Sequence, residues 1–174
     1  MSPRRLPRLI IRSGGQTGVD RAALDAAIAR GIPYSGWCPR GGWAEDCPDP
    51  PGVLARYPRL AETPSAAREQ RTAWNVRDSH ACLFLAASTG LRSSAGSRFA
   101  LVCAELIFLK PWFLADVSAP AAMPDLLSWL ERAAAAAGAD PLVMAIGGPR
   151  ESESPGIYQA ASQFLATFLD AIGI

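Results

Sequence analysis

The nine residues Arg12-Ser13-Gly14-Gly15-Gln16-Thr17-Gly18-Val19-Asp20 lie between an apolar run, Leu9 to Ile11, and an alanine-rich run, Ala22 to Ala29. A strand, a tight turn and a helix start fit that order. Three glycines within five residues let the backbone turn sharply and approach a ligand closely. The helix that follows aims its unpaired N–H groups and positive dipole end at the same place. Such a turn is a natural anion seat, and otherwise it simply packs helix on strand. The spacing Gly14, Gly15, Gly18 matches neither the phosphate loop, which ends in Gly-Lys-Ser/Thr, nor a clean G-x-G-x-x-G fingerprint.

The same plan recurs along the chain. After a tail to Pro7 that reads as frayed or edge-packed, the expected elements are strand Leu9–Arg12, helix Val19–Arg30 closed by Gly31, and strand Tyr34–Cys38. Pro39 to Pro64 holds six prolines and three glycines in 26 residues, so most of it cannot be central strand or helix interior. A loop that long reads as a ligand-covering or subunit-contacting segment, or else as a solvated excursion. Thr63-Pro64-Ser65 predicts a helix start, with the helix running to about Asp78 and Arg68, Arg71, Asn75 and Asp78 on one face. His80–Ala87 is an unbroken apolar run, as in a strand buried on both faces of a parallel sheet. A second small-residue turn, Ser88 to Ser97, precedes a helix from about Arg98 to Leu109. Then come strand Pro111–Asp116, helix Met123–Ala137 ending at Gly138, strand Leu142–Ile146, a third turn from Gly147 to Ser154, and helix Ile157–Ile172.

Strands alternating with helices predict α/β architecture: a single Rossmann-like, doubly wound parallel sheet of five or six strands with helices on both faces, spanning 1–174. All three glycine turns then fall at the carboxyl ends of strands, where such sheets bind ligands. Replacing Gly15 by a β-branched residue is expected to abolish binding there.

Composition removes several classes of function. Lys+Arg of 17 against Asp+Glu of 16 leaves a net charge of +1, which gives no field for a nucleic-acid polymer. Arg4, Arg5 and Arg8 are not followed by the apolar core of a signal peptide, and no apolar stretch is long enough to span a membrane. Cys38, Cys47, Cys82 and Cys103 form no C-x-x-C pair, so reduced thiols in a cytoplasm are expected. His80 is the only histidine, which excludes a multi-histidine metal site and reads as structural.

Ser13 to Leu24, Gly36-Trp37-Cys38-Pro39-Arg40-Gly41, Ala44-Glu45-Asp46, Tyr57 with Leu60, Glu62 and Thr63, Arg71-Thr72 with Asn75-Val76, and Gly148 to Ser152 together resemble the family known as "putative molybdenum carrier protein". That family carries the molybdenum-cofactor label, is Rossmann-like and is related to the lysine-decarboxylase-like phosphoribohydrolases. The resemblance implies a phosphate-bearing or molybdate-like ligand and a homo-oligomer. It implies backbone donors from Gly14, Gly15, Gln16, Thr17 and Gly18, with Arg40, Arg71, Asn75 and Arg150 around the anion. The full set expected to face the ligand adds Asp20, Ser79, Gly96, Ser97, Glu151 and Ser152. No catalytic residue and no metal ligand is assigned. Three positions depart from the family pattern: His80 replaces an aspartate, Ala95-Gly96-Ser97 replaces Gly-Gly-Thr, and Arg68 replaces an aromatic residue.

The related phosphoribohydrolases carry a glutamate three residues after the threonine of the second turn, and here that position is Ala100, with Glu105 too far along. Without a carboxylate the N-glycosidic bond loses its main catalyst, so a cytoplasmic binding or carrier protein for molybdenum cofactor, a similar pterin or a nucleotide is favoured. The alternatives are an enzyme on nucleoside monophosphates using Glu45, Asp46 or Glu151, and a nucleotide-ligand sensor.

Overall fold

The computed structural model describes residues 7–88, 90–119 and 122–174; residues 1–6 of the expected tail and Thr89 of the second turn lie outside them. Six strands form one all-parallel sheet: β1 Leu9–Arg12, β2 Tyr34–Cys38, β3 Leu60–Glu62, β4 Ala81–Ala86, β5 Trp112–Asp116 and β6 Leu142–Gly147. Five helices join them: α1 Val19–Ala29, α2 Arg68–Arg77, α3 Ala95–Val102, α4 Met123–Ala137 and α5 Ile157–Ala171. The protein is a Rossmann-like α/β fold, as its alternating pattern predicts.

Strand β4 shows why. All six of its residues are buried, with Ala81, Leu83 and Leu85 entering the core shared with α1, α4 and α5, and Cys82, Phe84 and Ala86 entering the core under α2 and α3. A parallel strand covered on both faces needs apolar side chains at every position. The alanines of α1 let it lie close to both the sheet and α5. Gly138 closes α4 in the left-handed region, at φ 58°.

The order across the sheet is β3-β2-β1-β6-β4-β5, with the last strand at the centre between β1 and β4. Counting from β6 instead of β1 turns the same order into 4-3-2-1-5-6, a doubly wound sheet with one switch point beside its first strand. Both ends of the described chain lie at the opposite rim: Leu142 N–H bonds Arg8 O just before β1, and Arg30 Nη1 reaches Ile174 O at 2.5 Å.

Three expectations are corrected. The long loop contains β3 and a turn of 3-10 helix, Gly52–Ala55, and it buries Ala44, Val53 and Tyr57 against Leu24 and Cys38, so it is no solvated excursion. Helix α2 begins at Arg68 and not at Thr63–Ser65, because Thr63 N–H and its hydroxyl both go to Cys38 O and extend the β2–β3 pairing. Helix α3 begins at Ala95 and not at Arg98, since the Ser94 hydroxyl caps it by accepting from Ser97 N–H; its last turn widens into a π-helix, Cys103–Ile107.

Candidate functional site

Because every strand is parallel, the turns after β1, β4 and β6 share one rim. Between them lies a cleft of about 260 Å³, bounded by Gly14, Gln16 and Asp20 from the first turn and α1, Arg68, Glu69, Arg71 and Asn75 from α2, Ser94 to Ser97 with Phe99 and Ala100 from α3, and Gly147, Gly148, Arg150 and Glu153 from the end of β6 and the turn after it. The loop after β2 reaches its edge, where the Arg68 guanidinium stacks 4.0 Å over the Trp43 ring.

Asp20 is buried here, and its Oδ2 takes a hydrogen bond from Arg71 Nη1 at 3.0 Å. Burial pushes its pKa up, opposed by Arg71 and by the backbone N–H groups of Gln16 and Gly14, and the net direction is upward. Those two amides are thus directed at the chain's own carboxylate. The Thr17 amide goes to Gln16 Oε1, which also accepts from Glu45 N–H.

The third turn is engaged in the same way. Arg150 N–H and Nη2 go to Glu153, Glu151 N–H goes to Thr17 Oγ1, and Ser152 N–H and Oγ go to Glu45. Glu45 also accepts from the Thr17 hydroxyl and lies 3.6 Å from Arg150 Nη1, so it ties the first and third turns together. Burial alone raises the Glu45 pKa, but the donors from Ser152, Thr17 and Arg150 outweigh it and the net direction is downward. Glu153 behaves alike: burial raises its pKa, while Arg150 and the Ser94 hydroxyl pull it below the usual carboxylate range.

Three of the five first-turn amides expected to face an anion are thus engaged within the chain, those of Gly14 and Gln16 with Asp20 and that of Thr17 with Gln16 Oε1. At this rim, the Ala95 and Gly96 amides at the start of α3 take no protein acceptor among the described residues, and the Ser94 and Ser97 hydroxyls lie beside them, 2.8 Å apart. Arg71 keeps its Nε and Nη2 without a protein acceptor among the described residues.

Of the residues expected at the site, Gly14, Gln16, Asp20, Arg71, Asn75, Gly96, Ser97 and Arg150 line the cleft. The Asn75 amide is engaged with the Trp37 backbone, accepting from N–H at 2.8 Å and donating to O at 2.9 Å, so it fastens α2 to β2. Gly15 faces the loop instead: a Cβ there would stand 3.0 Å from Leu60 Cδ1 and 3.5 Å from Val53. Thr17, Gly18, Glu151 and Ser152 line a second recess of about 680 Å³ behind the turn, with Arg21, Glu45 and Asp46. Arg40 is exposed outside both, and its amide meets Ser65 O. Ser79 lies between α2 and the amino end of β4, at the opposite rim, where its hydroxyl donates to Asn75 O.

Arg68, Glu69, Ser94 and Glu153 are lining residues that the sequence reading did not assign. The three-residue step from Arg68 to Arg71 already put both on one helix face, and Ser94-x-x-Ser97 is a capping pattern. The carboxylates considered for an enzyme have other tasks: Glu45 joins the turns, Asp46 pairs with Arg21 at 2.8 Å, and Glu151 caps α5 through Gly156 and Tyr158 N–H. Ala100 lines the cleft where the phosphoribohydrolase glutamate is expected.

No group of three or more His, Cys, Asp or Glu could hold a metal ion among the described residues, and no cysteine lines the cleft. No helix of the described residues is long and apolar enough to cross a membrane.

Fold and rim together define a doubly wound α/β protein with a cleft at its switch point. The chain belongs to the family described as "Circularly permutated YpsA SLOG family", whose model matches residues 11–169. The central position of β6, which restores a 4-3-2-1-5-6 order when counted first, accords with that description. The chain is also similar to the crystal structure of "Putative molybdenum carrier protein" from Syntrophus aciditrophicus SB, at 35% identity and a TM-score of 0.78 over 94% of this chain and 97% of that one. No curated protein matches it.

Proposed function

We propose that this is a binding protein for a small phosphate-bearing or oxyanionic ligand, with molybdenum cofactor or a related pterin or nucleotide as the class and carriage, not turnover, as the role. The observation that carries the reading is the meeting of the free Ala95 and Gly96 amides with Arg68, Arg71 and Arg150 around one cleft. Three arginines and three carboxylates (Asp20, Glu69, Glu153) leave the lining formally neutral. Such a lining suits a ligand that carries hydroxyl or amino donors beside its anion. The volume, about 260 Å³, lies just below the usual range of ligand clefts, roughly 300–1,000 Å³, and fits one phosphate with one ring system better than a dinucleotide. With no cysteine at the cleft, the protein would hold the phosphate end of a molybdopterin and leave its sulfur–metal end to the ligand. The four free cysteines favour a reducing, cytoplasmic setting.

Native mass spectrometry with elemental analysis on freshly purified protein, followed by calorimetric titration with molybdate, phosphate, pterin phosphates and nucleoside monophosphates, tests the reading. Saturable binding that weakens on Arg71→Ala supports it. Absence of binding across the panel overturns it.

A second reading rests on Asp20. A buried carboxylate with a raised pKa at the cleft floor is the kind of group a hydrolase uses. Release of free base from a monophosphate panel, lost in Asp20→Asn, would establish it.

A further inference from the structure

The charges that line the cleft are unevenly used. Of its three carboxylates, Asp20 is held by Arg71 at 3.0 Å and Glu153 by Arg150 at 2.9 Å, whereas Glu69 takes no side-chain donor among the described residues. Arg68, its neighbour in the first turn of α2, forms no ion pair with it or with any other described carboxylate. The Arg68 guanidinium is held by one face instead, 4.0 Å over the Trp43 ring.

Trp43 is fixed by its neighbours in the loop. Gly42 N–H goes to Pro39 O at 2.8 Å, Gly42 O accepts from Val53 N–H at 2.8 Å, and Ala44 on the other side is fully buried. A guanidinium anchored by one face keeps its second face and its N–H edge for a ligand, and a planar ring laid on that face continues the stack. The carboxylate beside it offers two acceptor oxygens and no donor. From α3, Phe99 and Ala100 add apolar lining to the same cleft.

We infer that Arg68 and Glu69 form the ring-recognising end of the cleft, and that Glu69 selects the 2-aminopyrimidin-4-one edge that guanine shares with pterins over the edge of adenine. That edge sets a ring N–H beside an exocyclic amino group, two parallel donors that match the two oxygens of one carboxylate. Adenine places a bare ring nitrogen there, so one carboxylate oxygen would face a lone pair. The inference rests on the oxyanion reading of the same cleft. Arg71, one turn and about 4.5 Å of helix rise further along α2, keeps Nε and Nη2 for the phosphate, with the Ala95 and Gly96 amides.

Calorimetric titration of the purified protein with guanosine, inosine and adenosine monophosphates and with inorganic phosphate tests the inference. The guanosine compound should bind at least about tenfold more tightly than the adenosine one, as one charge-assisted hydrogen bond allows, with the inosine compound between them. Glu69→Gln should abolish that preference through lost affinity for the guanosine compound, leaving phosphate affinity and melting temperature unchanged, since Glu69 is exposed and its side chain holds no other described group. Arg68→Lys keeps the charge without the plane, and should weaken all three nucleotides while sparing phosphate. Equal affinities for the guanosine and adenosine compounds, a preference that survives Glu69→Gln, or phosphate binding with no gain from any base overturns the inference and leaves the oxyanion reading in place. Failure of phosphate and of all three nucleotides to bind overturns both.

Discussion

Arg71 Nη1 stands 3.0 Å from Asp20 Oδ2 in space left open by the missing side chain of Gly14. A Cβ on Gly14 would lie 2.2 Å from that nitrogen and 2.9 Å from that oxygen, so the glycine is needed for the ion pair between α2 and α1. Its φ is not in the left-handed region, so alanine is not excluded by the backbone. Gly14→Ala should therefore act on the pair, lowering stability by about 1–3 kcal/mol, the range for a charged hydrogen bond disturbed at a buried site. Binding should weaken with it, because Arg71 is pushed from the cleft. Urea unfolding and ligand titration check this; unchanged values in both would show that the pair adjusts freely.

Asp20 and Glu45 should respond to pH in opposite senses. Burial raises the Asp20 pKa above its unfolded value of about 3.9, so folding favours its protonated form. Its contribution is fully present below that value and is lost as pH rises through the folded pKa. The stability of wild type minus Asp20→Asn should accordingly be greatest in acid and decline as pH rises. Denaturant unfolding across that range measures it, and a difference that grows with pH contradicts it.

For Glu45 the folded pKa is lowered, since the donors from Ser152, Thr17 and Arg150 exceed the effect of burial. Its contribution is present above the unfolded value of about 4.3 and is lost as pH falls through the folded pKa. Glu45→Gln should cost about 1–2 kcal/mol near neutrality, by loosening the junction of the first and third turns, with the difference from wild type shrinking in acid. A pH-independent difference would mean that folding does not lower the Glu45 pKa.

The sequence made the fold readable where a residue's role is set by its near neighbours. The apolar run around β4, the alanines of α1 and Gly138 each mark their element locally, and the strand–turn–helix repeats placed all three turns at one rim. β3 escaped because it has three residues among prolines and exists only through pairing with β2. At the site, the glycine turns were visible but the destinations of their amides were not. Those depend on Asp20 meeting Arg71, 51 positions away, and on Thr17 meeting Glu45, 28 positions away. Asp20 reads as a favourable charge at a helix start until the fold brings Arg71 and Gly147 beside it.

Two glycines of this rim should separate architecture from recognition. Gly18 has φ +76°, and a Cβ there would come within 2.3 Å of Pro149 O and 2.9 Å of Glu151 N, both backbone atoms that cannot step aside. That contact is also where Val19 N–H bonds Pro149 O, so the first and third turns would be forced apart. Gly18→Ala should lower stability by more than about 2 kcal/mol, combining left-handed strain with the lost junction. Gly96 is the opposite case: a Cβ meets nothing within 4 Å, and the residue lies in α3, where alanine is favoured over glycine by about 0.5–1 kcal/mol. Gly96→Ala should thus leave the fold intact or slightly stabilised while placing a methyl group at the amides that bound the cleft. Loss of affinity in Gly96→Ala with an unchanged or raised melting temperature would locate the ligand at the start of α3. Undiminished affinity would move the ligand elsewhere on the rim.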